Sequence, residues 1–367
     1  MKILILDNYY RGFLSAFYRK YPEIHLQNFE NHRHTLMLDR FGTSDAYSNA
    51  LNPLGHETQE IVTNDDDLQL KWGREHGVFS WKLPYRLNQL TNRFLGIDVR
   101  YRILTEQIKA IRPDVLYVQE QNLLSDAYLL SIKPYCRYLV AQVGSRPPKH
   151  RSYRPYDLVL TSFPHFLERF NQQGIRTRYF QLGFDNRVLH EISPAVNDSY
   201  DFTFVGAFFK VHKNRYQILN ELSKVMAIDI FGYSSALPNN SAIAASHRGE
   251  AWGLDMYRVL ARSRLTLNNH EKVAGRFANN MRLYEATGMG TCLLTDAKEN
   301  LAELFEPDVE VVTYSNLSEL VEKARYLLDH EDVRAAVAQA GQKRTLKDHT
   351  WKKRMEELAS IFSEELR

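Results

Sequence analysis

The stretch LNNHEKVAGRFANNMRLYEATGMGTCLLTD, Leu267 to Asp296, decides the fold. RLTLN (Arg264 to Asn268) and TCLLT (Thr291 to Thr295) are short apolar runs, as expected of strands buried on both faces. Between them Asn280 to Thr287 reads as a helix, with Asn279 or Asn280 as its N-cap. Gly288 and Gly290 then bring the helix end close to the next strand. Strand, helix, strand in this order implies a right-handed crossover between parallel strands.

The same alternation extends outward in both directions. Toward the N-terminus lie KILIL (Lys2 to Leu6), HETQEIV (His56 to Val62), DVLYV (Asp114 to Val118), RYLVA (Arg137 to Ala141), DLVLT (Asp157 to Thr161) and TRYFQ (Thr177 to Gln181). Ser125 to Ile132 and Pro164 to Gln173 read as helices between them, Ser162 capping the second and Gly174 stopping it. The polar stretch Asp185 to Tyr200 is read as a linker. DFTFVG (Asp201 to Gly206) then opens a second series, with strands at Ile228 to Gly232 and VEVVT (Val309 to Thr313). Helices are expected at Asn214 to Met226, Leu254 to Arg262, Ser318 to Asp329 and Asp332 to Ala340, the last closed by Gly341. A final helix, Thr350 to Phe362, carries Trp351, Met355, Leu358 and Ile361 on one stripe and needs a partner surface.

With 367 residues, two domains fit a norm of roughly 150 residues each. The boundaries read as 1–190, 198–345 and a terminal helix over 346–367. No apolar run reaches the length of a membrane span, and the N-terminus does not read as a signal peptide, so the cytoplasm is the expected compartment. Cys136 and Cys292 lie far apart and show no metal spacing. A net charge of +3 is too balanced to imply nucleic-acid binding. Lys71 to Arg112 is different: nine Lys and Arg stand against three Asp and Glu, interleaved with Trp72, Phe79, Trp81, Tyr85 and Phe94. It reads as a solvated face with its aromatics turned inward, as a contact for an anionic lipid headgroup at the inner face of the plasma membrane or a phosphate-bearing acceptor, or, least of all, as a nucleic-acid contact.

Ligands of open parallel sheets sit at the carboxyl ends of the strands, so those loops hold the candidate site. After Asp201 to Gly206 come Lys210, Lys213 and Arg215 at a helix start, an arrangement suited to a diphosphate. Gly206 lets the backbone turn closely there. No P-loop and no GxGxxG is present. Asn269, His270 and Glu271 follow the strand that ends at Asn268. Arg282 and Glu285 lie three apart on the next helix. A carboxylate there can accept both hydroxyls of a ribose and an arginine can pair with phosphate, or the two can simply pair with each other. In the N-terminal half Asp45, His34 and Glu120 are candidates for a general base, Glu120 at a strand's carboxyl end and Asp45 at a helix start where capping is the alternative. His165 is a further helix-start residue. Asp65, Asp66 and Asp67 read as a solvated turn.

RLYEATGMGTCLLTD (Arg282 to Asp296) resembles the donor-site signature of the group-1 glycosyltransferases of GT-B fold, especially their CgeB-like, spore-maturation branch. DFTFVG, IDIFGY (Ile228 to Tyr233), LNNH, LAELFEPDVEVVTY and HTWKKRMEEL resemble further pieces of that branch in order, and FGTSDAYSNALNPLGHETQEIVTND and YDLVLTSFPHFLERFNQQGI resemble its acceptor side more weakly. The resemblance implies two Rossmann-like parallel-sheet domains facing a central cleft, with the C-terminal helix returning to the first. It implies transfer of a sugar from a nucleoside-diphosphate sugar to a glycan, lipid-linked or protein acceptor in bacterial surface-glycan synthesis, with no resident cofactor, no required metal and no nucleic-acid partner. Glu285 then holds the ribose. Arg282, Asn279 and Asn280 lie by the diphosphate. Lys213 or Arg215 neutralises the leaving phosphate. His270 and Glu271 face the sugar, and Gly206 and Tyr233 complete the nucleotide side. Many group-1 enzymes carry a second Glu eight residues before the ribose Glu; here that residue is Phe277, which leaves the stereochemical outcome open, retention favoured. The alternatives are a GT-B epimerase or phosphorylase, a two-lobed sugar or nucleotide binder, and a degenerate scaffold.

Overall fold

The computed structural model describes residues 1–78, 99–120, 122–147, 152–192, 199–207, 213–233 and 241–366. It divides into two compact units, Met1–Gln181 with Met355–Arg367, and Leu182–Arg354. Each unit is built on a six-stranded sheet in which every pairing is parallel, with helices around it. This is the α/β architecture the sequence alternation implies.

The first sheet contains β1 (Lys2–Asp7), β2 (Glu57–Val62), β3 (Val115–Val118), β4 (Tyr138–Val143), β5 (Leu158–Thr161) and β6 (Thr177–Tyr179), in the spatial order β2-β1-β3-β4-β5-β6. β3 and β5 are buried at every position. That explains their continuous apolar sequences, because both faces of each strand meet packed side chains. The second sheet contains β7 (Tyr200–Val205), β8 (Asp229–Phe231), β9 (His247–Gly249), β10 (Ser263–Asn268), β11 (Cys292–Asp296) and β12 (Val312–Tyr314), in the order β12-β11-β10-β7-β8-β9. Two apolar layers cover it, one around Phe202, Leu265 and Leu294, the other around Val205, Leu283 and Leu293.

The last helix, Trp351–Glu365, begins in the second unit and ends in the first. Its stripe Met355, Leu358, Ile361 and Phe362 is buried, and Phe362 meets the Tyr117 ring edge-on at 6.2 Å. Glu365 accepts a hydrogen bond from Tyr138 at 2.7 Å and pairs with Arg176 at 2.7 Å. Within the second unit, a short parallel bridge joins Phe184 to Thr350. The Phe184 amide donates to the His349 carbonyl at 2.8 Å, and the Trp351 amide donates back to the Phe184 carbonyl at 2.9 Å.

Several local expectations are corrected. Gly341 does not close a helix: the helix Glu331–Asp348 runs through it. A Cβ there would lie 2.4 Å from the Glu310 carbonyl oxygen, so the glycine serves close packing rather than termination. The strand expected at Val309 to Thr313 is β12, Val312–Tyr314. Asp308, at φ +59°, instead turns the chain and accepts from the Thr313 amide at 3.1 Å. Ser162 caps nothing; Pro164 starts the helix Pro164–Gln172, its missing N–H being one that a first turn leaves unpaired anyway. β9 was not legible because its three residues, His, Arg and Gly, lack a strand pattern and lie at the sheet edge.

The acidic run is no solvated turn. Asp65 is 1% exposed, accepts from the Leu68 amide at 3.2 Å as N-cap of the helix Asp66–Glu75, and accepts from the Tyr18 hydroxyl. Burial pushes its carboxyl up to about 6. Lys71, the first cation of the expected basic surface, is buried, donating to the Ile24 carbonyl at 2.7 Å and lying 3.3 Å from Asp67. Lys82, Arg86, Arg93 and the aromatics Phe79, Trp81, Tyr85 and Phe94 lie outside the described residues. Among the described residues no helix is long and apolar enough to cross a membrane.

Two outcomes follow. Gly341→Ala should lower stability by about 2 kcal/mol, since a backbone carbonyl must move to admit the methyl; denaturant unfolding reads it. His349 is buried; its Nε2 donates to the Leu304 carbonyl at 2.9 Å and its Nδ1 accepts from Arg354 at 2.8 Å. Burial, with Arg354 and Arg344 adding to it, holds its imidazole down at about 4, against 6.5 for a free histidine. The unfolded chain therefore binds this proton first, so its contribution to stability is lost as pH falls from 6.5 toward 4. Unfolding curves across that window should show a shallower fall for His349→Gln than for the parent chain.

Candidate active site

The second sheet has a topological switch point between β7 and β10. From β7 the chain moves to β8 and β9 on one side; β10, β11 and β12 lie on the other. The loops leaving β7 and β10 diverge there, and open parallel sheets take their ligands at such a point. Gly206 follows β7 and Asn269 to Glu271 follow β10.

The β7 loop is drawn tight. A Cβ on Gly232 would lie 1.9 Å from the Gly206 carbonyl oxygen, and one on Gly206 would lie 2.8 Å from the Phe204 ring. Only glycine fits this approach. Tyr233 follows, half-buried, at the end of β8. Arg215 stands in the first turn of the helix Lys213–Val225. Its guanidinium lies over the Phe204 ring at 5.6 Å, donates to the Ala207 carbonyl at 3.0 Å and to the Asn269 carbonyl at 3.4 Å, and pairs with Glu271. One arginine thus ties the β7 loop to the β10 loop. Lys210 lies outside the described residues, as does the side chain of Lys213.

His270 is held from β11. The Asp296 carboxylate accepts from its backbone amide at 2.9 Å and contacts Nδ1 at 2.6 Å, through the same oxygen. The other oxygen lies 3.2 Å from Lys298 Nζ, which also donates to the Gly275 carbonyl at 2.9 Å. Burial would raise the Asp296 carboxyl, but the hydrogen bonds and electrostatic attraction of His270, followed by the charge of Lys298, outweigh it and hold the group below the ordinary range. The His270 side chain is fully buried, and among the described residues its Nε2 has no hydrogen-bond partner.

The helix Met281–Gly288 supplies the rest. Asn280 is its N-cap, accepting from the Leu283 amide at 3.2 Å, while its amide donates to Asn268 Oδ1 at 2.7 Å. Asn268 in turn donates to Thr295 at 3.0 Å. Asn279 is half-buried beside it. Arg282 pairs with Glu285 at 2.9 Å, both largely buried, and among the described residues Arg282 Nε has no hydrogen-bond partner. Burial pushes the Glu285 carboxyl up, and Arg282 works against that. Arg215, Arg282 and Lys298 thus each face a carboxylate. An anionic ligand would have to exchange partners with them.

In the first unit Asp45 sits at the start of the helix Ala46–Leu51, but its side chain caps nothing and pairs with Arg40 at 2.7 Å. Glu120, just past β3, accepts from the Asn122 amide at 3.0 Å. His34 is exposed on the helix Phe29–Leu38, and His165 packs on Phe166 with ring centroids 4.5 Å apart. A cavity of about 1090 Å³ opens beside the carboxyl ends of β1 and β2, lined by Asn8, Tyr10, Asn64, Asp65 and Asn122 among others. Neither Asp45 nor Glu120 lines it.

Sequence reasoning missed Asp296, Lys298, Asn268 and Tyr314, whose hydroxyl donates to the Asn268 carbonyl at 3.0 Å. No signal in the sequence alone marked them: only the pairing of β11 with β10 brings Asp296 to the β10 loop.

Residues 201–360 match the model of a family described as glycosyl transferase-like. No curated protein sequence matches the chain. Among solved structures, a glycosyltransferase from Rickettsia africae is 12% identical, with 100% of this chain and 98% of that one covered and a TM-score of 0.61. HepE of Anabaena in complex with UDP-glucose is 14% identical over 99% and 100%, at 0.59. A sucrose-phosphate synthase from Thermosynechococcus elongatus is 10% identical over 99% and 98%, also at 0.59. The fold is therefore GT-B.

Asn280→Ala removes both the cap and the tie to β10. It should cost about 1–2 kcal/mol, measurable by urea unfolding.

Proposed function

We propose that this chain is a glycosyltransferase that moves a sugar from a nucleoside-diphosphate sugar to an acceptor hydroxyl. The observation that carries the reading is the group of buried charged and polar side chains at the switch point of the second sheet, with His270 Nε2 and Arg282 Nε left without hydrogen-bond partners. Buried polar atoms are nearly always satisfied, so orphans gathered at a ligand-binding edge are a mark of function. The match of residues 201–360 and the GT-B neighbours, one of them with UDP-glucose bound, support the same class.

In this reading Glu285 accepts the ribose hydroxyls once Arg282 turns to the diphosphate beside Asn279 and Asn280. Gly206 and Tyr233 border the nucleotide. Arg215, with Lys213, receives the charge that builds on the leaving phosphate, and Glu271 and His270 face the sugar. Fixed cations aimed at developing charge lower the barrier, each by about 3 kcal/mol. These protein cations do the work that a metal does elsewhere, so we assign no metal role. The acceptor, a glycan or lipid-linked saccharide, docks in the cavity of the first unit, where amides, carboxylates and the exposed Tyr10 ring suit hydroxyls and sugar faces. Because Asp45 is held by Arg40 and Glu120 by the Asn122 amide, we assign no inverting base and take retention as the outcome. On the sequence resemblance we extend the reading to bacterial surface-glycan synthesis in the cytoplasm, and on the basic-aromatic composition of Lys71 to Arg112 to contact with an anionic membrane.

Calorimetry with UDP, GDP, dTDP and CMP tests this. One of the four should bind, and Glu285→Ala should weaken it at least about tenfold, the worth of a charged hydrogen bond. An unchanged affinity would remove Glu285 from the ribose site, and no binding of any of the four would sink the reading.

A further inference from the structure

We propose that Asp296, braced by Lys298, is a positioning residue that fixes His270 in its Nδ1–H tautomer and presents the Nε2 lone pair to a hydroxyl of the donor sugar. This rests on the function proposed above for the sugar, though the tautomer itself does not.

The argument is one of donors and acceptors. An ionised carboxylate only accepts, so the Asp296 oxygen 2.6 Å from Nδ1 requires the hydrogen on Nδ1. The same oxygen takes the His270 amide at 2.9 Å, which locks backbone and ring together. A second proton on Nε2 would leave an imidazolium N–H buried with no acceptor, far costlier than an unused lone pair. Lys298, 3.2 Å from the other carboxylate oxygen, already spends part of the charge that would favour an imidazolium. Nε2 is therefore an acceptor. A lone pair repels phosphate oxygens and attracts O–H, which assigns His270 to the sugar and leaves the phosphates to the arginines. Arg215 pairs with Glu271, the residue next to His270, so a diphosphate that takes Arg215 releases that carboxylate.

The test uses the full chain labelled with ¹⁵N-histidine. Imidazole ¹H–¹⁵N spectra at pH 7.5 are assigned to His270 by the signal missing in His270→Gln. The parent chain should show Nδ1 protonated and Nε2 bare. Asp296→Asn should put the ring into exchange between tautomers; Lys298→Ala should do so in part and Lys298→Arg should restore the parent spectrum. A protonated Nε2 in the parent overturns the proposal, as does a spectrum indifferent to both Asp296→Asn and Lys298→Ala. Should Asp296→Asn fail to fold, the parent and Lys298 spectra decide. With UDP-glucose as probe, Asp296→Asn should cut turnover by roughly 10–100-fold while UDP affinity stays within about twofold, the pattern of a misaligned sugar contact. Equal losses in UDP affinity and turnover overturn the sugar assignment. If no nucleotide binds, the function reading falls and takes the hydroxyl with it, while the tautomer is judged on the spectra alone.

Discussion

The pairing of β7 with β10 is the constraint on which the second unit rests. These strands are sixty residues apart in sequence, yet Thr203 donates to Ser263 or Thr266 across them in a fully buried position. Because they are neighbours, the segments leaving their carboxyl ends must part company, and polar side chains collect where the backbone diverges. Arg215 then stitches the two loops together from one side, and Asp296 holds the β10 loop from the other. The geometry of His270 is a consequence of strand order before it is a consequence of any side chain.

The same logic explains why so much ionisable surface is buried there. A charge taken out of water is tolerable only when paired. Arg215 with Glu271, Arg282 with Glu285 and Lys298 with Asp296 meet that condition. Such pairs hold the loops at the carboxyl ends of β7 and β10 in place.

Much of this was legible in the sequence. Continuous apolar runs such as KILIL and DVLYV identify buried parallel strands because nothing else combines that length with that composition. The cluster Asn269 to Glu285 stood out because polar residues so dense between two buried strands do not belong to a core. What could not be read was long-range pairing. Lys71 and Asp65 look solvated on their own, yet each is buried against a partner, Ile24 or Tyr18, more than forty residues away. Gly341 looks like a stop signal because helix termination and close packing call for the same missing Cβ. Asp296 looked like the end of a strand, and only the register of β11 against β10 shows what it faces.

The last helix has a consequence for how the molecule is made. Residues 355–365 complete the first unit, covering Tyr117 and giving Tyr138 and Arg176 a carboxylate. On the ribosome, the N-terminal sheet emerges long before these residues do. It must wait, with an apolar flank uncovered, until the whole second unit has been translated. Vectorial synthesis therefore matures the later unit's strands while the earlier one is still unfinished, and the two halves acquire their final form almost together.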